Sequence, residues 1–349
     1  MKKRIGIIFG GCSSEYPVSL QSAYAVIKGL NPSLYEKVCI GITREGSWYR
    51  YYGDPDKIPE NTWYTMPEEC VPVTISPDRF SHAIIELSKS GIKRTKLDAV
   101  FPVLHGKNGE DGTIQGLLEL AGIPLIGCGT LASALCMDKD RAHRLVSTAG
   151  IAVPEAVVLT GSVSDEELYQ RTSHLHFPVF VKPMKAGSSF GITKVYSQEC
   201  LPAAVRTAFE HDDEVILEEN VEGFEVGCAV LGNTELTIGE VDEIELTDGF
   251  FDNTEKYTLK TSKIHMPARI DTTTADKIKE TAAVIYRTLG CKGFARVDMF
   301  LTPDGRIVFN EVNTIPGFTS HSRYPNMMKG IGISFEEILN KLVELGSAI

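Results

Sequence analysis

The chain has 349 residues, 43% of them hydrophobic, and a formal net charge of -11. That supports a real core in two or three domains, and it disfavours a nucleic-acid partner, which needs a basic face. No apolar run approaches the roughly 20 residues of a membrane span, and the eight scattered cysteines include no CxxC pair, as suits reduced thiols in a cytoplasmic protein.

Residues 4–9 read as a buried strand, followed by the turn Cys12-Ser13-Ser14-Glu15 and a helix from about Val18 to Leu30. The opening is like a dinucleotide fold, but the glycine spacing does not fit GxGxxG. The next strand, Val38–Ile42, ends without the acid that would grip a ribose. Glu15 lies at a helix N-terminus, where the dipole alone favours a carboxylate; the other reading is a hold on a substrate ammonium. Residues 44–95 read as an elaborated loop region with short elements. Leu97–Leu104 is a second buried strand ending in HGKNGEDG. Polar residues at the carboxyl end of an α/β strand are where such folds bind ligands. His105 is therefore a candidate contact, or else a structural histidine. Glu110, Asp111 and Gly112 open a helix through Leu120.

Ile123–Gly127 reads as a short strand and about Leu131 to Thr148 as one helix, carrying Met137-Asp138-Lys139. Lys139 by itself reads as part of a solvated face. Ser164-Asp165-Glu166-Glu167 is a capping box. Strands at Phe177–Lys182 and Ile192–Tyr196 flank a glycine- and serine-rich loop with Lys182 and Lys185 at its entry. Such a loop wraps phosphate through backbone N–H groups or is simply a wide hairpin. It is not a P-loop, since no GK[ST] follows. Strands follow at Glu214–Glu219, Val226–Leu231 and Gly239–Ile244. The long polar stretch Thr247–Ser262, with Lys256-Tyr257 near its middle, has the length of a functional loop. Asp276–Leu289 is an amphipathic helix, and Ser334 caps a last helix to Leu345.

Phe294–Ser322 is the stretch the rest serves. It reads as a hairpin closed by a type I turn at Thr302-Pro303-Asp304-Gly305. Closing it there sets Leu301 opposite Arg306, Asp298 opposite Phe309 and Arg296 opposite Glu311. Alternation puts Arg296, Asp298, Glu311 and Asn313 on one face, and Val297, Met299, Leu301, Val308 and Val312 on a core face. Two carboxylates and an amide oxygen beside an arginine make a hard-oxygen site of the kind Mg²⁺ takes, or a cross-strand salt bridge. The hydroxyl-rich loop Thr314–Ser322 that follows looks like a substrate loop.

The ordered set of motifs, Glu15 in its turn, HGKNGEDG, MDK, VKP with AGSSFG, EENVEGFE, TEKY, ARVDMF and NEVNTIPGFTSHS, resembles the D-alanine-D-alanine ligase family of the ATP-grasp fold over about residues 4–345. The resemblance implies an α/β protein with an α+β C-terminal part: a Rossmann-like lobe (1–125), a small central lobe with the glycine loop (126–215) and a C-terminal lobe with lid and metal hairpin (216–349). It implies a nucleotide set of Lys139, Lys182, Ser189, Glu218, Glu219, Val221, Glu225 and Lys256. In that set Lys139 and Lys182 hold ATP phosphates, Glu218 and the backbone at Val221 meet adenine, Glu225 meets ribose, and Lys256 swings in with its loop. Asp298, Glu311 and Asn313 would bind two Mg²⁺, or Mn²⁺ in their place. Glu15, with Ser188 and Tyr257 in a hydrogen-bonded trio, would bind the first D-alanine ammonium near His105. Arg296 and the Gly317 N–H would stabilise the oxyanion. Ser322 would bind the second substrate's carboxylate. The resemblance also implies a cytoplasmic homodimer serving peptidoglycan synthesis.

Two positions depart from the common pattern. Arg323 stands where alanine-adding relatives have an apolar residue, and Phe251 where many have tyrosine. With Tyr324-Pro325-Asn326-Met327-Met328 this looks like the glycopeptide-resistance subgroup that adds D-serine, since a hydroxyl can use donors that a methyl cannot. The intact Lys256-Tyr257 pair separates it from lactate-adding ligases. The expectation is a D-alanine-D-serine ligase, with a housekeeping D-alanine-D-alanine ligase, another ATP-grasp ligase and a non-catalytic nucleotide sensor as alternatives.

Overall fold

The structure is a computed structural model and describes residues 2–187, 190–246 and 262–347. Three sheets organise it. Strands β1 (Lys3–Gly10), β2 (Tyr35–Ile42), β3 (Trp48–Tyr51), β4 (Cys70–Ile75), β5 (Ala83–Ser88), β6 (Gly91–Lys96) and β7 (Ala99–Pro102) form the first, in the order β6-β5-β4-β3-β2-β1-β7. β1 runs parallel to β2 and β7. Its Ile5, Ile7, Ile8 and Phe9 are fully buried, as expected of a parallel strand covered on both faces. The helix Tyr16–Gly29 lays Leu20, Ala23 and Ile27 into the same core as Ile5 and Ile7.

The stretch 44–95 is a correction. It holds four antiparallel strands rather than a loop region. β6 is solvent-facing along nearly its whole length and β4 contains Pro72, so neither shows the apolar alternation that marks a strand. In contrast, the expected strand at 123–127 shrinks to one bridge between Leu125 and Val100.

The second sheet, β8 (Ala156–Leu159), β9 (Val179–Pro183), β10 (Thr193–Val195) and β11 (Val215–Glu219), is antiparallel in the order β10-β9-β11-β8. The third comprises β12 (Phe224–Gly232), β13 (Leu236–Leu246), β14 (Ser262–His265), β15 (Phe294–Leu301) and β16 (Ile307–Asn313), in the order β14-β13-β12-β15-β16. The helix Thr272–Thr288 covers it with Ile278, Ala282 and Ile285, spaced for one helical face.

The single helix expected over 131–148 is two helices, Thr130–Met137 and Lys139–Thr148. Asp138 breaks the run because its carboxylate caps the second helix, accepting from Arg141 N at 3.0 Å.

The hairpin register also differs. Gly305 adopts φ 81°, so the loop has three residues and Leu301 pairs with Ile307. Asn310 then bulges out of β16, and Asp298 pairs directly with Glu311 and Arg296 with Asn313. The two one-residue shifts sum to two, so the four polar residues keep their common face. The shift at the turn places Phe309, not Val308, against Met299 in the core cluster.

Candidate active site

A cleft of about 1360 Å³ collects eleven of the residues singled out in the sequence: Glu15, His105, Lys139, Glu225, Arg296, Asp298, Glu311, Asn313, Gly317, Ser322 and Arg323. At its floor, Arg296 clasps Asp298 with Nε at 2.8 Å from Oδ1 and Nη2 at 2.7 Å from Oδ2. Asn313 Nδ2 donates to Asp298 Oδ2 at 2.9 Å and reaches Glu311 Oε1 at 3.5 Å. Among the described residues no three His, Cys, Asp or Glu side chains converge as a metal-ligand set. Two carboxylates and an amide do converge, and this hard-oxygen donor set fits Mg²⁺ completed by waters and phosphate. Turning the Asn313 amide over would present Oδ1 in place of Nδ2.

Glu15 precedes the helix Tyr16–Gly29, yet its side chain makes no capping bond there. The carboxylate lies between two backbones: a Cβ added at Gly106 or at Gly187 would run into Glu15 Oε2. His105 is buried, 3.1 Å from Ser22 Oγ through Nε2. Ser22 Oγ also accepts from Phe318 N at 3.3 Å, which ties His105 to the loop carrying Gly317. Burial lowers the His105 pKa to about 4, and a backbone bond to Ile315 offsets this only in part. The ring is therefore neutral at pH 7.

Glu110 is a residue whose part the sequence reading missed. It serves no first turn, since Gly112 starts that helix. Its carboxyl accepts from Gly106 N at 2.9 Å and from Ile315 N at 3.1 Å, linking two loops 205 residues apart. Burial, and then the neighbouring Glu15, raise its pKa to about 8.

At the other end of the cleft, Ser322 Oγ accepts from Thr319 N at 3.0 Å and packs against the Gly317 backbone. Arg323 is buried rather than open to the cleft. Its Nε and Nη2 fork onto Asp242 at 2.8 Å each, and Nη1 donates to Glu225 at 2.8 Å, with Asp298 at 3.4 Å. Burial opposes its charge, but Asp242 and then Asp298 outweigh that and hold the pKa well above the usual value. Asp242, its main partner, went unrecognised in the sequence, where it is one of four acids on its strand, with Glu240, Glu243 and Glu245.

The nucleotide candidates divide. Lys139 Nζ reaches the carbonyls of Met184 (3.3 Å) and Ala186 (3.1 Å) at the entry of the glycine loop. Lys182 pairs with Glu218 across β9 and β11. Burial pushes the Glu218 carboxyl up, but Lys182 and then His143 outweigh it, so its pKa is lowered. Next to Glu218 on a strand, the Glu219 side chain takes the opposite face, where it accepts from His176 N at 2.7 Å. Val221 lies in the short connection between β11 and β12. Ser188, Ser189, Phe251, Lys256 and Tyr257, with the expected lid, lie outside the described residues.

A phosphate-type loop on an antiparallel sheet, facing a hard-oxygen hairpin on a second sheet, defines an ATP-grasp ligase. Family models described as D-ala D-ala ligase N-terminus and C-terminus match residues 4–128 and 145–344. The crystal structure of VanG D-Ala:D-Ser ligase from Enterococcus faecalis superposes with a TM-score of 0.92, at 59% identity over 99% of this chain and 100% of that one. Vancomycin C-type resistance protein VanC1 of Enterococcus gallinarum is 45% identical over 98% of both chains. The D-alanine--D-alanine ligase of Caldicellulosiruptor bescii is 40% identical over 99% of this chain and 95% of its own. The chain belongs to the D-alanine-D-alanine ligase family. Among the described residues no helix is long and apolar enough to cross a membrane.

Proposed function

We propose that the protein joins D-alanine to D-serine, using ATP and passing through D-alanyl phosphate, for peptidoglycan precursors of the vancomycin-resistant type, and that it acts as a cytoplasmic homodimer. Within this reading the γ-phosphoryl group of ATP passes to the D-alanine carboxylate. The amine of the second amino acid then attacks the acyl carbon, and phosphate leaves. Mg²⁺ at Asp298, Glu311 and Asn313 supplies neutralising charge for the phosphates.

The chain's own residues do the positioning. Glu15, beside the buried Glu110, binds the first ammonium. Arg296 is aimed by its Asp298 fork, and its Nη1, which makes none of those bonds, serves the oxyanion together with the Gly317 N–H. Lys139 and Lys182 take phosphates, Glu218 and the Val221 backbone take adenine, and Glu225 takes ribose. Ser322 Oγ takes the second carboxylate. Lys256 and Phe251 belong to the lid that shields the acyl phosphate from water.

The observation that carries the D-serine assignment is the buried guanidinium of Arg323 in the cleft wall beside Ser322. Three of its five N–H groups are committed to Asp242 and Glu225. The remaining donors suit a hydroxyl and not a methyl. The 59% identity to a D-Ala:D-Ser ligase supports the same reading. The second reading, a D-alanine-D-alanine ligase, is favoured if Asp298, at 3.4 Å, takes what the acids leave. Incubation with ATP, Mg²⁺ and equal D-alanine and D-serine, with dipeptides weighed by mass spectrometry, tests this. Mostly D-alanyl-D-serine supports the assignment, and mostly D-alanyl-D-alanine overturns it.

A further inference from the structure

The loop after β16 carries Gly317 between anchored neighbours. Ile315, Pro316 and Phe318 are buried, whereas Gly317 is half-buried and lines the cleft. The Phe318 ring is wedged among Phe101, Phe294 and Tyr324. Of the residues 315–318, all but Pro316 carry a backbone N–H. Ile315 N donates to Glu110 Oε1 at 3.1 Å, and Phe318 N donates to Ser22 Oγ at 3.3 Å. Gly317 N donates to no described residue. Side chains from the lobe of β1–β7 thus take the N–H groups on either side and leave the one at Gly317. Both anchors are themselves held. Glu110 Oε2 accepts from Gly106 N at 2.9 Å. Ser22, buried on the helix Tyr16–Gly29, lies 3.1 Å from His105 Nε2. The His105 ring also bonds the Ile315 backbone in the sense that favours its charged form. A ring does this by donating to a carbonyl, so Nε2 is left to accept from the Ser22 hydroxyl.

We propose that Glu110 and Ser22, with His105 behind Ser22, are positioning residues for the oxyanion: they fix the backbone of residues 315–318 so that the Gly317 N–H is aimed into the cleft. This rests on the reading that the Gly317 N–H serves the oxyanion. That charge forms when the amine of the second substrate adds to the acyl carbon of D-alanyl phosphate. The C–N bond forms, the carbonyl electron pair moves onto oxygen, and phosphate leaves as the pair returns. A donor helps only if it already faces the place where the charge develops. The earlier phosphoryl transfer makes no oxyanion at the acyl carbon, so the aim of Gly317 bears on the second step alone. A loop fastened only for stability would be tied without regard to which N–H stays free. Here both flanking N–H groups are committed to buried side chains, and the one at the cleft wall is not.

Two variants release the anchors. Glu110→Gln replaces one accepting oxygen by an amide NH2, which cannot accept from a backbone N–H, and Ser22→Ala removes the acceptor for Phe318. The experiment measures dipeptide formation by the intact enzyme with ATP, Mg²⁺, D-alanine and D-serine. It also measures the first step alone, as D-alanine-dependent scrambling of oxygen isotope between bridging and non-bridging positions of ATP. Here D-alanine is held at levels that fill the first site and not the second, and thermal melts run alongside. Each variant should lower kcat for the dipeptide about 10- to 100-fold, the upper end being the scale of a misplacement of about 1 Å. The scrambling rate and the KM for ATP should stay near those of the unaltered enzyme. A variant that lowers only the melting temperature, or slows both steps alike, costs its residue the role, and if both variants do so the proposal is overturned. Gly317→Pro deletes the N–H itself; Gly317→Ala, which keeps it and brings the same Cβ against Ser322, is its control. If the proline variant slows dipeptide formation beyond the alanine one while Glu110→Gln and Ser22→Ala do not, the oxyanion reading stands and the positioning role alone is lost. If the proline and alanine variants act alike, the oxyanion reading fails and takes the proposal with it.

Discussion

Asp298 faces Glu311 directly across β15 and β16 because Asn310 is squeezed out of the ladder between Phe309 and Glu311. The bulge is held from outside the hairpin: His143 binds the Asn310 carbonyl, and Phe309 N donates to Ala152 O at 2.8 Å. Two carboxylates pressed together on one face, beside Arg296, are stable as a pair only with positive charge near both. Glu311→Gln should therefore raise the Mg²⁺ concentration needed for half-maximal activity. The effect should exceed the roughly 10- to 100-fold cost of losing an outer-shell partner, while the melting temperature of the metal-free protein changes little. A Mg²⁺ titration of turnover measures this; an unchanged midpoint would remove Glu311 from the metal set.

The side chains of that site were legible in the sequence, but their register was not. Alternation names the residues that share a face, and Arg296, Asp298, Glu311 and Asn313 do share one. A left-handed Gly305 and a bulge anchored by His143, 167 residues away, leave no local mark. The same holds for Arg323: its position beside Ser322 is a sequence fact, whereas its fork onto Asp242, 81 residues upstream, is a product of packing α-helix against sheet. The parallel start of the fold was readable from the apolar run of β1. The four strands of 48–96 were not, because β6 is exposed along nearly all of its length and gives no periodic signal.

Gly187 brings the glycine loop against Glu15, and a methyl group there would run into the carboxylate. Overpacking of this kind costs about 1–3 kcal/mol, so Gly187→Ala should raise the KM for the first D-alanine by roughly 5- to 150-fold. The KM for ATP should move less. If initial-rate kinetics show the D-alanine term unaffected, Glu15 does not bind the first substrate.

His105 gives a pH signature of stability. Its pKa in the folded protein is about 4, against about 6.5 in an unfolded chain. Above pH 6.5 the ring is neutral in both states and costs nothing. As pH falls from 6.5 to 4 the unfolded chain binds a proton that the folded protein refuses, and stability is lost. The full loss is about 3 kcal/mol. His105→Gln should flatten this part of the curve. Urea unfolding at pH 7, 5.5 and 4.5 measures it, and a slope identical in both proteins would show that His105 is not held neutral by burial.

The two ends assigned to Arg323, one structural and one toward substrate, can be pulled apart. Its guanidinium is the cation for Asp242, which is only 1% exposed, and for Glu225. Arg323→Leu leaves those acids buried without it, which should cost about 3–5 kcal/mol of stability. If Arg323 also donates to the second substrate, the same change should lower the preference for D-serine over D-alanine by roughly 10- to 150-fold. Asp242→Asn keeps the charge of Arg323 but loosens the fork that aims it. Should the aim of the guanidinium set the product, Asp242→Asn will also shift the dipeptide ratio toward D-alanyl-D-alanine, without removing any group that touches substrate. Dipeptide ratios from equal D-alanine and D-serine, read beside melting temperatures, decide between the two. A ratio unmoved in Arg323→Leu, with stability lost as expected, would make Arg323 a structural cation and return the second-substrate choice to the lid.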